Sequence, residues 1–172
     1  MTKSSGKATS KPVSGGKRNT RPGRAGVVNL HVHRLAGKRG KVSAADAESL
    51  SSSKIIESIQ NGLLIRELDD LQASLDVETG RLASMLGISK ATLHRRKAQG
   101  RLDPAESDRL LRFARLMGKA VTVCGGIEEA REWLRSPQFG LGGAVPLEYA
   151  QTEPGAREVE NLLGRIEYGV YS

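Results

Sequence analysis

The chain has 172 residues, a hydrophobic fraction of 38% and only 3% aromatics, so a core must come mostly from Leu, Ile, Val and Ala, which suits packed helices better than a β-sandwich. One cysteine, Cys124, excludes an intramolecular disulfide; no run reaches the roughly 18 apolar residues of a membrane span or forms the apolar core of a secretory signal, so the expected location is the reducing cytoplasm, with no membrane partner. The net charge of +8 is graded, with 11 Lys/Arg against two acids in residues 1–53, 12 against 9 in 54–124 and 4 against 8 in 125–172; a polyanion, most simply DNA, suits the first two stretches and a different partner suits the acidic third.

Residues 1–26, "MTKSSGKATSKPVSGGKRNTRPGRAG", hold almost nothing apolar and cannot offset the entropy of ordering, so they are expected to be disordered. A mitochondrial transit peptide shares this composition but needs an amphipathic helix, which Pro12, Gly15, Gly16, Pro22 and Gly23 oppose. Residues 27–53 carry a short apolar patch, "VVNLHVHRLAG", in which Val28, Leu30 and Val32 alternate as in an extended segment, then a Ser/Ala-rich linker.

From residue 54 the pattern is helical. Ile55, Ile56 and Ile59 mark a short helix ended by Asn61-Gly62, and Leu64, Leu68, Leu71 and Leu75 mark a second. Asp76 is expected to cap a third, with Leu82, Ala83 and Leu86 inward, and a fourth begins at Ser89. "DPAE" at 103–106 is a start signal, with Asp103 as N-cap, Pro104 at the first helical position and Glu106 reaching back. The helix it opens carries Leu110, Phe113, Ala114, Met117 and Val121 at helical spacing and stops by Gly125-Gly126. A further helix covers 127–136. A Gly/Pro-interrupted loop with a helical turn at 146–150 follows. The last helix has Thr152 as cap, Pro154 in its first turn, and a stripe of Val159, Leu162, Leu163, Ile166 and Val170. The expected fold is all-α in three parts: a disordered basic arm and linker (1–53), a helix-turn-helix bundle (54–124) and a small helical domain (125–172).

"TGRLASMLGISKATLHRRKA", residues 79–98, fits a helix-turn-helix. Two closely crossing helices need a small residue at the crossing, which Ala83 provides, and a left-handed turn residue, which Gly87 provides four residues later. Leu82, Leu86, Ile88 and Leu93 fill a small core. The second helix then presents Ser89, Lys90, Ala91, His94 and Arg95 towards a major groove, with Lys97 beside them. Arg96 stands where an aliphatic residue is more usual; its stem is expected to pack while its head reaches a phosphate. Five cations and no acid lie between 89 and 101. The competing reading is two solvated helices of a bundle with a basic face.

No catalytic set emerges. His31-x-His33 has no Cys, Asp or Glu close by to complete a metal site. Cys124 ends an apolar helix without a nearby His and reads as a structural thiol. "GLGGAVP" at 140–146 lacks the Lys-Ser/Thr of a phosphate loop. Neither an enzyme nor a cofactor is expected.

"WLRSPQFGLGGAVPLEYAQTEPGAREVENLLGRIEYGVYS", residues 133–172, resembles the toxin-binding domain of the Xre/MbcA/ParS antitoxins. The resemblance rests on Trp133, Leu134, Leu141, Gly142, Gly143, Pro146, Leu147, Thr152, Gly155, Val159, Leu163, Ile166, Gly169 and the closing Tyr-Ser. Residues 54–124 resemble the helix-turn-helix domain of the same family, including "MLGIS" and "TLHRR". The resemblance implies a type II antitoxin that neutralises a RES-domain, NAD⁺-degrading toxin and represses a shared operon by binding operator DNA; a homodimer is expected because one helix-turn-helix reads only a few base pairs and two-fold pairing sets two recognition helices about 34 Å apart. It implies that the chain end, through Arg165, Ile166, Glu167, Tyr168, Val170, Tyr171 and Ser172, meets the toxin; the competing reading folds Tyr168, Val170 and Tyr171 back onto their own core. The other function class left open is a stand-alone helix-turn-helix regulator whose last domain dimerises or senses a ligand.

Overall fold

A computed structural model describes residues 52–169. The basic arm, the extended segment expected at 28–32, His31, His33, and Val170, Tyr171 and Ser172 at the chain end lie outside the described residues. Among those described there are eight α-helices and no strand: α1 Ser52–Gln60, α2 Ile65–Leu75, α3 Thr79–Met85, α4 Lys90–Gln99, α5 Pro104–Cys124, α6 Ile127–Arg135, α7 Pro146–Tyr149 and α8 Glu153–Glu167, with one 3₁₀ turn at Phe139–Leu141. The all-α expectation holds across this region.

α5 is the axle. Its 21 residues run about 31 Å, and it packs against α1, α2, α6 and α8. Its start is a complete capping box: the Asp103 carboxylate accepts from the Glu106 amide at 2.7 Å, and Glu106 accepts from the Asp103 amide at 2.8 Å. Leu110, Phe113, Ala114, Leu116, Met117, Ala120 and Val121 are all buried. Gly125 closes the helix in the left-handed conformation (φ 86°), which costs glycine no side-chain clash.

α1 lies on α5 through Ile55 and Ile59, while Ile56 stays half exposed. After Gly62, residues 62–65 run antiparallel to 100–102: the Leu102 amide donates to the Leu63 carbonyl at 2.9 Å and the Ile65 amide to the Gly100 carbonyl at 3.0 Å. Gly62 is demanded twice there, by its φ of 75° and because a Cβ would meet the Leu102 carbonyl at 2.1 Å. α2 then buries Leu68, Leu71 and Leu75 completely. Asp76 does not cap α3. It is the left-handed C-cap of α2 (φ 50°), and the residue preceding α3 is Glu78, which makes no side-chain cap bond. Asp tolerates that conformation better than most residues, so the signal was right in kind and wrong in end.

The last carbonyls of α2 need donors, and α2 has no cation in its own final turn. α6 supplies them. Arg131 donates to the Ser74 carbonyl at 2.8 Å and the Ala73 carbonyl at 2.7 Å, and Arg135 donates to the carbonyls of Leu75 and Asp76. α8 is stitched to α5 by Arg112 to Glu153 (2.9 Å), Arg115 to Glu160 (3.6 Å) and Lys119 to the Glu160 carbonyl (2.8 Å). Residue numbers rise together along both helices, so α8 runs parallel to α5. Thr152 caps α8 by accepting from the Gly155 amide. Val159 and Leu163 of its stripe are buried; Leu162 and Ile166 are half-buried.

Candidate functional site

The turn between α3 and α4 is built as its sequence requires. Ala83 is buried at the crossing with Leu82, Leu86 and Ile88, and Leu93 packs on them half-buried. Gly87 has φ 67°, and the Gly87 and Ile88 amides donate to the carbonyls of Ser84 (2.9 Å) and Ala83 (2.8 Å). Arg109, from α5, donates to the Leu86 carbonyl and covers the end of α3. A Cβ at residue 87 would come within 2.6 Å of that guanidinium.

α4 has no fully buried residue. Lys90, Ala91, His94, Arg95 and Lys97 are exposed and form a basic outer face. Ser89 is exposed too, but its hydroxyl is the N-cap: it accepts from the Thr92 amide at 3.2 Å and meets Thr92 Oγ1 at 3.0 Å.

Arg96 departs from expectation. Its side chain is only 16% exposed, and its head turns inward rather than out to a phosphate. Nε donates to Glu106 at 2.8 Å and Nη2 to Asp103 at 2.6 Å, while Nη1 donates to Gln99 at 3.1 Å. The hydrogen bond to Glu106, aided by both carboxylate charges, raises the Arg96 pKa above its ordinary value. The same two acids that start α5 therefore clamp α4 against it. Arg101, another cation of the basic run, donates to the Gly62 carbonyl at 2.7 Å.

At the other end of the chain, Arg165, Glu167 and Tyr168 are exposed and Ile166 is half-buried. Tyr168 is 79% exposed, so this residue does not fold back onto the core. Sequence reasoning passed over another exposed aromatic. Phe139, in the 3₁₀ turn, is 98% exposed, whereas the other phenylalanine, Phe113, is 1% exposed. The turn that carries it is tightly bonded: the Gln138 amide donates to the Ala144 carbonyl and the Gly143 amide to the Gln138 carbonyl, each at 3.0 Å. Gln138 Nε2 ties the turn to the end of α6 through the carbonyls of Trp133 (2.9 Å) and Ser136 (3.1 Å). The signal available in sequence was a lone Phe inside a Gly-rich loop, where no periodicity buries it.

Cys124 is half-buried, and burial, aided by the Glu129 charge, raises its pKa. A thiol held protonated is a poor nucleophile. No helix among the described residues is long and apolar enough to cross a membrane.

A family profile described as the antitoxin Xre-like helix-turn-helix domain matches residues 54–115, and one described as the antitoxin Xre/MbcA/ParS C-terminal toxin-binding domain matches residues 119–169. An Antitoxin Xre from Yersinia enterocolitica is 36% identical over 120 residues, which cover 69% of this chain and 81% of the relative. An Antitoxin Xre from Photorhabdus laumondii is 35% identical over 125 residues, covering 71% and 84%. A protein from a Sphingobium species named Prs ADP-ribosylating antitoxin is 27% identical over 127 residues, covering 66% and 78%.

Proposed function

The chain belongs to the Xre antitoxin family, and from that premise we propose that it neutralises a RES-domain toxin that degrades NAD⁺ and represses its own operon as a homodimer. The observation that carries this reading is the presence, in one chain, of a helix-turn-helix domain and a toxin-binding domain in sequence order. Residues 54–124 form the DNA-reading part and residues 125–172 the toxin-binding part. Lys90, Ala91, His94, Arg95 and Lys97 face the major groove, with Ser89 fixing the start of the reading helix. The exposed cations of α4 and the absence of any acid between 89 and 101 support that role. A two-fold pair sets two such helices about 34 Å apart on one face of DNA. Arg165, Ile166, Glu167 and Tyr168, together with residues 170–172, meet the toxin; the exposure of Tyr168 supports this.

Co-expression with a RES-domain toxin tests the reading. Growth and NAD⁺ should be preserved by the full chain and lost when residues 168–172 are removed, while the truncated protein keeps its circular dichroism and its operator binding. Truncated protein that still blocks NAD⁺ loss would remove the tail from the mechanism.

The name of the Sphingobium relative supports a second reading, in which the toxin attaches ADP-ribose to a protein. Both chemistries cleave nicotinamide from ADP-ribose. Hydrolysis leaves free ADP-ribose, whereas transfer leaves it on a protein, so labelled NAD⁺ separates the two.

A further inference from the structure

The turn at 136–146 is more rigid than a chain connection needs to be. Gln138 is bonded through its backbone to Ala144 and Gly143 and through its side chain to Trp133 and Ser136. Gly142 (φ 65°) and Gly143 (φ 85°) bend the chain in a conformation that L side chains rarely adopt. Gly140 is pressed on α8: a Cβ there would stand 2.6 Å from Leu162 Cδ1. These constraints fix the backbone on either side of Phe139 and leave its ring in solvent.

Covering a Phe ring is favourable, and this fold does not collect that gain at residue 139. Where Gly140 meets α8, Leu162 is half-buried and stands outside the main core cluster, and Ile166, one helical turn further along α8, is half-buried and outside it too. A rigid loop that presents one aromatic next to a glycine packed on a half-covered leucine has the form of an interface anchor, since the ordering cost is already met before binding.

We infer that Phe139 is an anchor of the toxin interface, its ring entering an apolar pocket on the toxin while Leu162 and Ile166 seal the margin. The occupant follows from continuity: Phe139, Leu162 and Ile166 all lie within residues 119–169, the stretch that matches the toxin-binding domain, and α8 leads from them to the chain end. The inference rests on the proposed partner above and adds a site that the tail alone does not contain.

The test is titration of the full-length chain and of Phe139→Ala, Phe139→Asp and Phe139→Leu against a purified RES-domain toxin, with thermal melting, operator binding and sedimentation in parallel. Phe139→Ala and Phe139→Asp should weaken toxin binding roughly 30-fold or more, and Phe139→Leu should recover most of it. Melting and operator affinity should not change, because the ring touches no core. Alanine and aspartate variants that bind toxin like the parent overturn the inference. A lowered melting midpoint would mean that the chain's own end covers the ring, and a lost self-association without a change in toxin binding would mean that a second copy does; either result overturns it as well. A parent chain that does not bind the toxin sinks the partner reading, and the inference with it.

Discussion

α4 and α5 are neighbours in sequence, separated only by residues 100–103, yet they are held in place by different physics. α5 buries eleven residues along its length. α4 buries none completely and is held by the Ser89 cap, by Leu93 and by the Arg96 clamp on Asp103 and Glu106. The difference shows how the outer face of a helix is kept free of the core. A helix docked by a wide apolar stripe gives up much of its circumference to the core. A helix docked by one aliphatic residue and one arginine paired to two carboxylates keeps nearly all of it. Such docking depends on charge, so α4 is easier to loosen than the scaffold on which it stands.

The comparison breaks hardest at the scaffold. Met117→Ala, at a fully buried α5 position, should cost about 2–5 kcal/mol and impair operator and toxin binding together; denaturant unfolding measures the loss. Next comes Arg96→Met, which keeps the stem and removes the clamp, leaving the nearly buried Glu106 carboxylate without its cation. It should lower the melting midpoint by less than the Met117 cavity does, weaken operator binding, and leave toxin binding intact. Arg96→Lys should rescue it only in part, because an ammonium cannot fork to two carboxylates as the guanidinium does. If Arg96→Met keeps full operator affinity, the clamp is not what orients α4.

On the outer face of α4 the expectation reverses. Lys90→Ala and Arg95→Ala should change stability by no more than about 0.5 kcal/mol yet weaken operator binding by about 1–3 kcal/mol if they reach bases, as electrophoretic or fluorescence titration would show. Equal operator affinity in both variants would sink this docking. The smallest effect is expected at the far end of α5. Cys124, its pKa raised first by burial and then by Glu129, should react with iodoacetamide at pH 8 more slowly than a free thiol. A rate equal to that of free cysteine would contradict its placement.

Where a signal is local, the sequence could be read. The Asp103–Glu106 capping box, the stripe from Leu110 to Val121, the Gly125 stop, the Ala83 and Gly87 pair and the Thr152 cap all depend on residues within a few positions of one another. What escaped depends on tertiary partners. Asp76 sits between two helices, and either end could claim a short acid; the left-handed turn of the chain decides for α2. Arg96 turns inward because Asp103 and Glu106, seven and ten residues on, are brought under it by the start of α5. Arg131 and Arg135 close the end of α2 from nearly sixty residues away, which no spacing rule anticipates. Phe139 escaped for the opposite reason, since an exposed aromatic in a loop has no pattern to betray it. The basic arm and the last three residues lie outside the described structure, so the expectations placed on them rest on composition and resemblance alone.

The position of α5 has a consequence for synthesis. A nascent chain that has left the ribosome as far as Gly125 already holds the complete reading helix, but the face of α5 that α8 covers is bare, and the carbonyls at the end of α2 have no arginines. The DNA-binding half cannot reach its final stability until residues 153–167 emerge. Translation halted before them, or proteolysis that removes them, should leave a fragment with an open apolar flank, of the kind that cellular proteases clear. In such a molecule the fold of the helix-turn-helix half cannot outlive α8, so the two family domains are gained and lost together.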